Sequence, residues 1–304
     1  MNGRALWRGR LALAAAVVIW STPAVFQFWL ARTFDPWTQN FYRYAAGFLT
    51  MLPFLAVAGL RPTAELRSRD VLGCLVVAVP NVIHQVAQTV AVVLLWPGVF
   101  ALLGRSSVII TAVLAIVFFA DERWIARSVK FQIGTLLGLV AVAGMIWQPD
   151  DGGMLSTTGL LLALVASCSW AAYGILVKKF TARAGPTFGF AMVSFFTAAL
   201  LLPLALFFGE PGTIFEADSW TVFILLASGA LSIGIGHWLY YIGIRRLGAA
   251  PSQAALLLCP LGTVCLSSLL FGETFSAGQM VFGGILLFGA FLALSARPPA
   301  AKES

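Results

Sequence analysis

The segment LLCPLGTVCLSSLLFGE, residues 257–273, indicates in one stretch how this chain folds. It is an apolar run that ends on a glutamate, and no charged residue lies between Ala250 and Gly272. An α-helix needs about twenty apolar residues to cross a ~30 Å hydrocarbon core. A barrel strand would instead alternate apolar and polar residues. The segment therefore predicts a transmembrane helix over residues 250–271.

The rest of the chain has the same character as this segment. Of its 304 residues, 60% are hydrophobic and 10% are charged, with a mean hydropathy of +0.92, whereas soluble domains carry about 25% charged residues. In lipid, backbone groups must be paired within a helix or a closed barrel. Nine further apolar runs complete an all-α membrane protein with ten predicted transmembrane helices, near residues 9–30, 37–59, 71–95, 97–119, 131–148, 156–178, 186–208, 219–244, 250–271 and 277–295.

Positive charge predicts the orientation of these helices, because lysine and arginine concentrate in cytoplasmic loops. Sixteen of the nineteen basic residues fall in alternate loops and in the two termini, Arg32 falls on the opposite side, and Arg43 and Arg105 lie within helices. The alternation holds through every loop. It predicts a multi-pass protein of the bacterial inner membrane with both termini in the cytoplasm.

The two halves of the chain resemble each other. AIVFFADERW (115–124) corresponds to SSLLFGETF (267–275), and the offset of about 150 residues predicts one five-helix repeat over residues 1–150 and a second over 151–304. Five is an odd number, so the second repeat must enter the membrane from the opposite side. Inverted repeats of this kind underlie many secondary transporters, which hold their substrate near the midplane between the repeats.

The sequence resembles the EamA-type repeat of the drug/metabolite transporter superfamily, once in each half. The resemblance rests on Trp20 and Trp170 in the first helix of each half and on Arg43 in FYRYAAGFL. It also rests on the fourth helix, which carries Pro260 and ends on a glutamate before a glycine-rich fifth helix. The resemblance implies efflux of metabolites, amino acids or drugs by alternating access.

A polar stripe on the third predicted helix is the first candidate site. Asn81, His84 and Gln88 share one helical face, and a stripe of this kind does not face lipid. It lines either a substrate cavity or a helix contact held by hydrogen bonds between helices. The two readings predict different chemical accessibility for the three side chains.

Aromatic residues and the second histidine extend this candidate site. His237, the only histidine besides His84, lies on the eighth predicted helix, the counterpart of the third. An imidazole can bind a solute or carry a proton, and aromatic rings can stack on a planar or amphipathic solute; the alternative for His237 is a packing role. The aromatic residues predicted to bind substrate with it are Trp20, Trp170, Tyr173, Trp238 and Tyr241.

Arg105 is a charge placed about 10 Å along the fourth helix at 1.5 Å per residue, and intramembrane charges mark functional sites. It is predicted to bind a substrate carboxylate through two hydrogen bonds, with a buried ion pair or a carbonyl contact as the alternative. It lies one turn before Ile109, which stands where Pro260 would repeat. The resemblance favours a gating or structural role for Arg43, and we expect the same of Pro23, Pro80 and Pro260, since prolines interrupt helical hydrogen bonding.

Glycine-rich runs on the two fifth helices predict close helix packing, from Gly134 to Gly138 and from Gly284 to Gly289. No phosphate-binding loop motif occurs, so these glycines do not indicate a nucleotide site. The four cysteines lie within apolar segments without metal-ligand spacing.

The predicted function is export of small organic solutes, most of all amino acids, including aromatic or hydrophobic ones, and related metabolites. A carrier of phosphorylated or nucleotide-linked solutes is the alternative, followed by an integral membrane enzyme. No cofactor, metal or nucleic acid is expected, and no catalytic activity, because no acid lies near the midplane of a helix and no nucleophile is paired with a base. The expected partners are a small-molecule substrate and the lipid bilayer; the oligomeric state is open and compatible with a monomer.

Overall fold

The computed structural model describes residues 3–57, 67–118, 127–146, 156–180, 186–247 and 255–295, and within these ranges it contains helices and no strands. A π-helical segment, Gly229–Ile235, joins two of the helices. The α-helices are α1 (Gly3–Trp20), α2 (Pro23–Leu30), α3 (Pro36–Val57), α4 (Ser68–Leu95), α5 (Pro97–Leu103), α6 (Ser106–Phe118), α7 (Val129–Ile146), α8 (Thr157–Phe180), α9 (Pro186–Phe208), α10 (Ser219–Ser228), α11 (Gly236–Leu247), α12 (Cys259–Phe271) and α13 (Ala277–Leu294).

Long apolar segments make this chain an all-helical, multi-pass membrane protein. Two shorter apolar helices, Val129–Gly144 and Cys259–Phe271, accompany the long ones. The full count of ten crossings and the inverted arrangement of the halves stay predictions. The seven segments long and apolar enough to cross a bilayer, among the described residues, are Leu6–Leu30, Ser68–Leu95, Pro97–Phe118, Thr157–Val177, Thr187–Phe208, Ser219–Tyr240 and Ala277–Leu294.

Helix α3 has the length of a membrane helix, 22 residues, but carries a polar face. Gln39, Asn40 and Arg43 are at most 1% exposed. The Asn40 side-chain amide donates to the hydroxyl of Thr89 on α4 at 2.9 Å. The polar face of α3 thus lies inside the bundle, which is how a helix with these residues avoids exposing them to lipid.

The segment predicted over residues 9–30 is one apolar membrane segment, but its helix is interrupted at Ser21 and Thr22 rather than continuous as predicted. Pro23 has no backbone N–H, and it therefore cannot donate to the carbonyl of Ile19 one turn earlier. The Thr22 hydroxyl donates to that carbonyl instead, at 2.6 Å. The break separates α1 from α2 within a membrane segment.

Among the described residues, three further predicted helices are interrupted. The segment predicted over 250–271 has a turn at Leu257 and Leu258, directly before α12. The segment predicted over 97–119 divides at Gly104 and Arg105 into α5 and α6. The segment predicted over 219–244 contains the π-helical segment, and π-helical turns often occur at functional sites. All four interruptions have residues in or beside them that line one central cavity, described below.

The helices pack in pairs that join the N-terminal half of the chain to the C-terminal half. Helix α4 packs on α8, and α1 packs on α11. In the predicted order, α4 belongs to the third helix of the first half and α8 to the first helix of the second half. For α11 and α1 the halves are exchanged, so the two pairs are the same contact made twice. Other large cross-half pairs are α3 with α9 and with the π-helical segment, α4 with α9, α6 with α8, α5 with α12 and α7 with α13. The two halves therefore interlock through most of their helices.

The pair α7 and α13 approach closely through glycines. A Cβ atom added at Gly134 would lie 2.5 Å from the carbonyl oxygen of Gly289, and one added at Gly289 would lie 2.7 Å from the carbonyl oxygen of Gly134. By contrast, Gly284 faces open space. Of the glycines predicted to mediate packing, Gly134 and Gly289 thus form a close backbone contact between the halves.

Candidate functional site

A cavity of about 170 Å³ lies between the two halves. The α1–α2 break, α3, α4, the α5–α6 break, α8 and the π-helical segment all contribute to its walls. The residues singled out from the sequence that line it are Trp20, Pro23, Arg43, His84, Gln88, Arg105, Trp170 and His237.

Arg105 lies in the turn between α5 and α6, at the wall of the cavity. Its Nη1 donates to the carbonyl oxygen of Leu256 at 3.3 Å, which joins the two halves. Its Nε is buried and has no hydrogen-bond partner among the described residues. A planar guanidinium carries five N–H donors, so this side chain retains donors for a bound solute.

Arg43 lies on α3 and is 1% exposed, yet it also lines the cavity. Its Nε donates to the hydroxyl of Ser228 at 3.1 Å. Its Nη1, in contrast, is buried without a partner among the described residues. A Cβ atom on Gly229 would overlap the Arg43 backbone, so only glycine lets the start of the π-helical segment approach α3 this closely.

The two histidines have the same hydrogen-bond pattern. The Nδ1 atom of His84 lies 2.8 Å from the carbonyl oxygen of Ala166, and the Nδ1 atom of His237 lies 3.0 Å from that of Ile233. A carbonyl oxygen only accepts hydrogen bonds, so we assign the ring proton to Nδ1 in both residues. When the ring is neutral, Nε2 is then the atom that can accept a hydrogen bond.

Each histidine packs against a tryptophan from the other half. The His84 ring lies 4.8 Å from Trp170, and the His237 ring lies 4.8 Å from Trp20. The indole N–H of Trp20 donates to the carbonyl oxygen of Ser232 at 2.9 Å. Phe190 stacks on the His237 ring, with the two centroids 4.2 Å apart. The cavity thus has two aromatic walls, one from each pairing.

Asn81 lies outside the cavity, although it shares a helical face with His84. It is 2% exposed. Its side-chain amide donates to the hydroxyls of Tyr44 at 2.9 Å and Thr197 at 3.0 Å, and so links α4 to α3 and α9. For Asn81 the structure favours the helix-contact interpretation of the polar stripe. Gln88 remains at the cavity and donates to Gln27 at 2.6 Å.

Four other predicted residues also lie away from the cavity lining. Tyr173 is buried and stacks on Trp170 at 5.2 Å, and Trp238 packs on Phe54 at 4.5 Å. Pro80 is half-buried within α4, and Pro260 is buried in the first turn of α12. The side chain of Tyr241 lies outside the described part of the structure.

The cavity also contains residues that the sequence analysis did not select. Gln85 and Tyr240 line it, together with the serines Ser107, Ser167 and Ser232. Ser167 precedes Trp170 by three positions and so shares its helical face, a signal that could have identified it. Ser232 reaches the cavity from the π-helical segment, and helical spacing does not predict positions after such a turn.

The lining has a definite charge. It includes two arginines and two histidines, and no aspartate or glutamate lies among its described members. Within the described part of the chain, no group of three or more His, Cys, Asp or Glu residues is arranged to hold a metal ion. The arrangement is suited to binding an organic molecule with a carboxylate and an apolar or aromatic body.

A buried carboxylate joins the two halves at the start of α5. Glu273 accepts hydrogen bonds from the backbone N–H groups of Gly98 at 2.9 Å and Val99 at 3.1 Å, and from the Ser267 hydroxyl. Gly272, with φ of 71°, ends α12 in the left-handed conformation and turns the chain toward α5. We call these contacts the Glu273 clamp. Burial raises the pKa of this carboxyl, against the effect of its hydrogen bonds.

An aromatic cluster surrounds the same region. Phe28 stacks on Trp96 at 5.0 Å and packs on Phe271 at 4.9 Å. The guanidinium of Arg32 lies 5.8 Å from the centre of the Phe271 ring. These contacts join the end of α2, the α4–α5 connection and the end of α12. Together with the Glu273 clamp they hold the two halves against each other at this end of the bundle.

Comparison with known proteins identifies the fold and its relatives. The profile of the EamA-like transporter family matches residues 7–147 and again residues 157–295. An uncharacterized inner membrane transporter of Escherichia coli K12, YedA, is 26% identical over 288 residues, which cover 92% of this chain and 89% of YedA. An uncharacterized transporter of Archaeoglobus fulgidus is 25% identical over 95% of this chain and 97% of its own length.

A Bacillus subtilis protein, the uncharacterized transporter YvbV, is 28% identical over 66% of this chain and 63% of its own length. Among solved structures, one crystal structure superimposes with a TM-score of 0.67, covers 96% of both chains and shares 16% identity. At that identity the likeness shows the fold alone. The two profile matches confirm the resemblance that the sequence motifs indicated.

Proposed function

Since the chain belongs to the EamA-like transporter family, we propose that it exports amino acids, including aromatic or hydrophobic ones, and related metabolites across the bacterial inner membrane. It is a membrane solute transporter by family, and the proposal concerns its substrate, its direction and its mechanism. The mechanism is alternating access of one central site to the two sides of the membrane.

The observation that carries this proposal is the composition of the cavity between the halves. Arg105 retains free guanidinium donors beside the cavity, and a guanidinium pairs with a carboxylate through two parallel hydrogen bonds. The Nε2 atoms of the two imidazoles, when the rings are neutral, offer acceptors for polar hydrogens of the solute. The indoles of Trp20 and Trp170 offer flat apolar surfaces for its side chain. The carboxylate and the side chain of an amino acid thus each have a matching wall.

The packing of the helices supports an inverted repeat with residues 1–150 and 151–304 as its two members. Helix α4 on α8 and α11 on α1 are the same contact made twice, with the halves exchanged. A pseudo-twofold axis within the membrane plane produces such exchanged pairs. With ten crossings both termini lie on the same side of the membrane, and the basic residues of the termini and alternate loops favour the cytoplasmic side.

Alternating access requires two gates, one on each side of the substrate site, that open in turn. The Glu273 clamp supports one such gate, because it joins the α12–α13 connection to the start of α5 across the two halves. The interrupted segments support a mechanism in which half-helices tilt about their breaks. The α5–α6 break bears Arg105 itself, so movement there would change the site directly.

A carrier of phosphorylated or nucleotide-linked solutes is the alternative with an observation in its favour, since two arginines line the same cavity. Such solutes carry several charges close together. Among the described residues no lysine adds to the two arginines, which favours a carboxylate over a phosphate.

Counterflow in proteoliposomes tests the proposal. Liposomes containing the purified chain and loaded with unlabelled phenylalanine, leucine or glutamate should accumulate the labelled form of at least one of them faster than empty liposomes. His84→Ala should reduce this exchange. Exchange of sugar phosphates but of no amino acid in a broad panel would favour the alternative. An absence of exchange with every solute would contradict the proposal.

A further inference from the structure

We propose that the cavity prefers solutes with a net negative charge, namely aryl or alkyl carboxylates in which the ammonium group is missing or capped, such as 2-hydroxy acids, 2-oxo acids and N-acyl amino acids. This inference rests on the proposed function and specifies its substrate class. It ranks these related metabolites above the zwitterionic amino acids themselves.

The charge of the cavity favours an anionic solute. Arg43 and Arg105 both line it, and the guanidinium group is charged at every physiological pH. No described lining residue is acidic. The described acids at other positions include Asp35 and Glu273, whose carboxylates accept backbone hydrogen bonds elsewhere in the bundle. The cavity therefore has two positive charges that the described protein does not neutralise.

Buried polar atoms without partners at the cavity also favour an anionic solute. Buried polar groups are almost always hydrogen-bonded. Yet the Nη1 of Arg43, the Nε of Arg105 and the hydroxyls of Ser167 and Ser232 have no partner within the described structure. All four residues line the same cavity. Two of the four atoms are charged donors, so an oxyanion satisfies them best.

The ammonium group of an ordinary amino acid finds no acidic partner among the described lining residues. An ammonium group in this cavity meets two guanidinium charges and, among the described lining residues, no carboxylate. Its acceptors are neutral atoms, such as the Nε2 atoms of the histidines. Like charges placed in a medium of low dielectric repel strongly, and a buried charge without a partner is costly. Replacing the ammonium by a hydroxyl removes this cost and keeps the carboxylate and the side chain.

The membrane potential supplies a driving force for the export of a net-anionic solute. A membrane potential that is negative inside moves an anion outward, and at equilibrium the concentration ratio changes by a factor of about 50 per 100 mV for one charge. A transporter of such solutes needs no proton relay. In this mode the two histidines of the lining need not carry a proton.

Three probes of similar size separate the possibilities: phenylalanine, 3-phenyllactate and phenylethylamine. Phenyllactate replaces the ammonium of phenylalanine by a hydroxyl, and phenylethylamine retains the ammonium but lacks the carboxylate. In proteoliposomes of the full chain, phenyllactate should saturate exchange at a concentration lower than phenylalanine by about tenfold or more. Phenylethylamine should not compete.

A valinomycin-imposed potassium potential supplies the second readout. A positive interior should accelerate phenyllactate uptake and leave phenylalanine exchange unchanged, because only the first moves net charge. The charge preference would be overturned if phenylalanine bound as tightly as phenyllactate or more tightly, or if phenyllactate uptake did not change with the potential. Either result would leave the proposed function intact. If neither acid were transported or bound, the proposed function would fail and this inference with it.

Variants of Arg105 test whether the preference for anionic solutes arises in the cavity. Arg105→Gln should reduce phenyllactate affinity by about tenfold or more and phenylalanine affinity less, so that the ratio between them falls. Arg105→Lys should restore part of the ratio, since it keeps the charge. Arg69→Gln, which removes an exposed arginine on α4, is the matched control and should change nothing. An unchanged ratio in Arg105→Gln, or a loss that is equal for both acids and not rescued by lysine, would refute the assignment.

Discussion

The imidazole of His84 lies against the indole of Trp170, with ring centroids 4.8 Å apart, and this contact joins α4 of one half to α8 of the other. The same contact occurs in exchanged form between His237 and Trp20, also at 4.8 Å. Both pairs line the central cavity. The aromatic walls of the candidate site are therefore part of the contact that joins the two halves.

Replacement of His84 tests whether this contact serves binding. We expect His84→Ala to reduce solute exchange by about tenfold or more, because it removes a cavity wall and the acceptor nitrogen. Counterflow in proteoliposomes measures the change. Ile83→Ala is the control, since Ile83 is the neighbouring residue and is 47% exposed on the outer face of α4. Full exchange by His84→Ala, with equal expression of both variants, would assign His84 to packing alone.

Cysteine accessibility distinguishes the two roles within the polar stripe. In a background without the natural cysteines, the thiols introduced singly by His84→Cys and Gln88→Cys should react with an aqueous thiol reagent. The thiol of Asn81→Cys should be protected, because Asn81 is buried against Tyr44 and Thr197. Rapid labelling at all three positions would place the whole stripe on the cavity. Protection at all three would remove it from the cavity.

The α7–α13 contact makes a prediction about stability. Gly134→Ala should lower the free energy of unfolding by about 1–3 kcal/mol, since the new methyl group would press on the backbone of Gly289. Gly284→Ala, on the same pair of helices, faces open space and should cause no loss. Thermal unfolding in detergent compares the two variants. Equal behaviour would mean that this close backbone contact does not stabilise the protein.

The buried carboxyl of Glu273 predicts a pH dependence of stability. Burial raises its pKa, so the folded protein binds this proton more tightly than the unfolded chain. The contribution of Glu273 to the free energy of unfolding should therefore rise as the pH falls from neutral toward the ordinary pKa of glutamate. Above the raised pKa this contribution is lost.

Thermal unfolding across that pH range, in the native protein and in Glu273→Gln, measures the effect. Glutamine does not titrate, so the difference between the two proteins should follow the pH in the stated direction. A constant difference would show that the Glu273 carboxyl has the same pKa in the folded and unfolded chains. Asp218, an exposed helix cap at which the pKa is lowered by the Thr221 hydroxyl, should not contribute in that direction.

The fold class could be predicted because lipid imposes a simple rule on composition. Long apolar runs have one stable outcome in a bilayer, and the repeated motifs indicated the family from the sequence alone. The helix interruptions were harder to predict from the sequence. Pro23 indicated one of them, but the break at Arg105 and the π-helical segment depend on contacts between halves that helical spacing does not contain.

The candidate site was likewise predictable from the sequence only in part. By itself, the sequence determined the all-helical membrane fold, the family and a short set of unusual intramembrane residues, because charges and histidines in lipid stand out by their cost alone. Only the tertiary structure decided that Arg43, Arg105, His84 and His237 meet at one cavity while Asn81 turns to a helix contact. Residues of one helical face can differ in this way, because each neighbouring helix covers only part of that face, and the position of the neighbour is set by packing across the whole bundle.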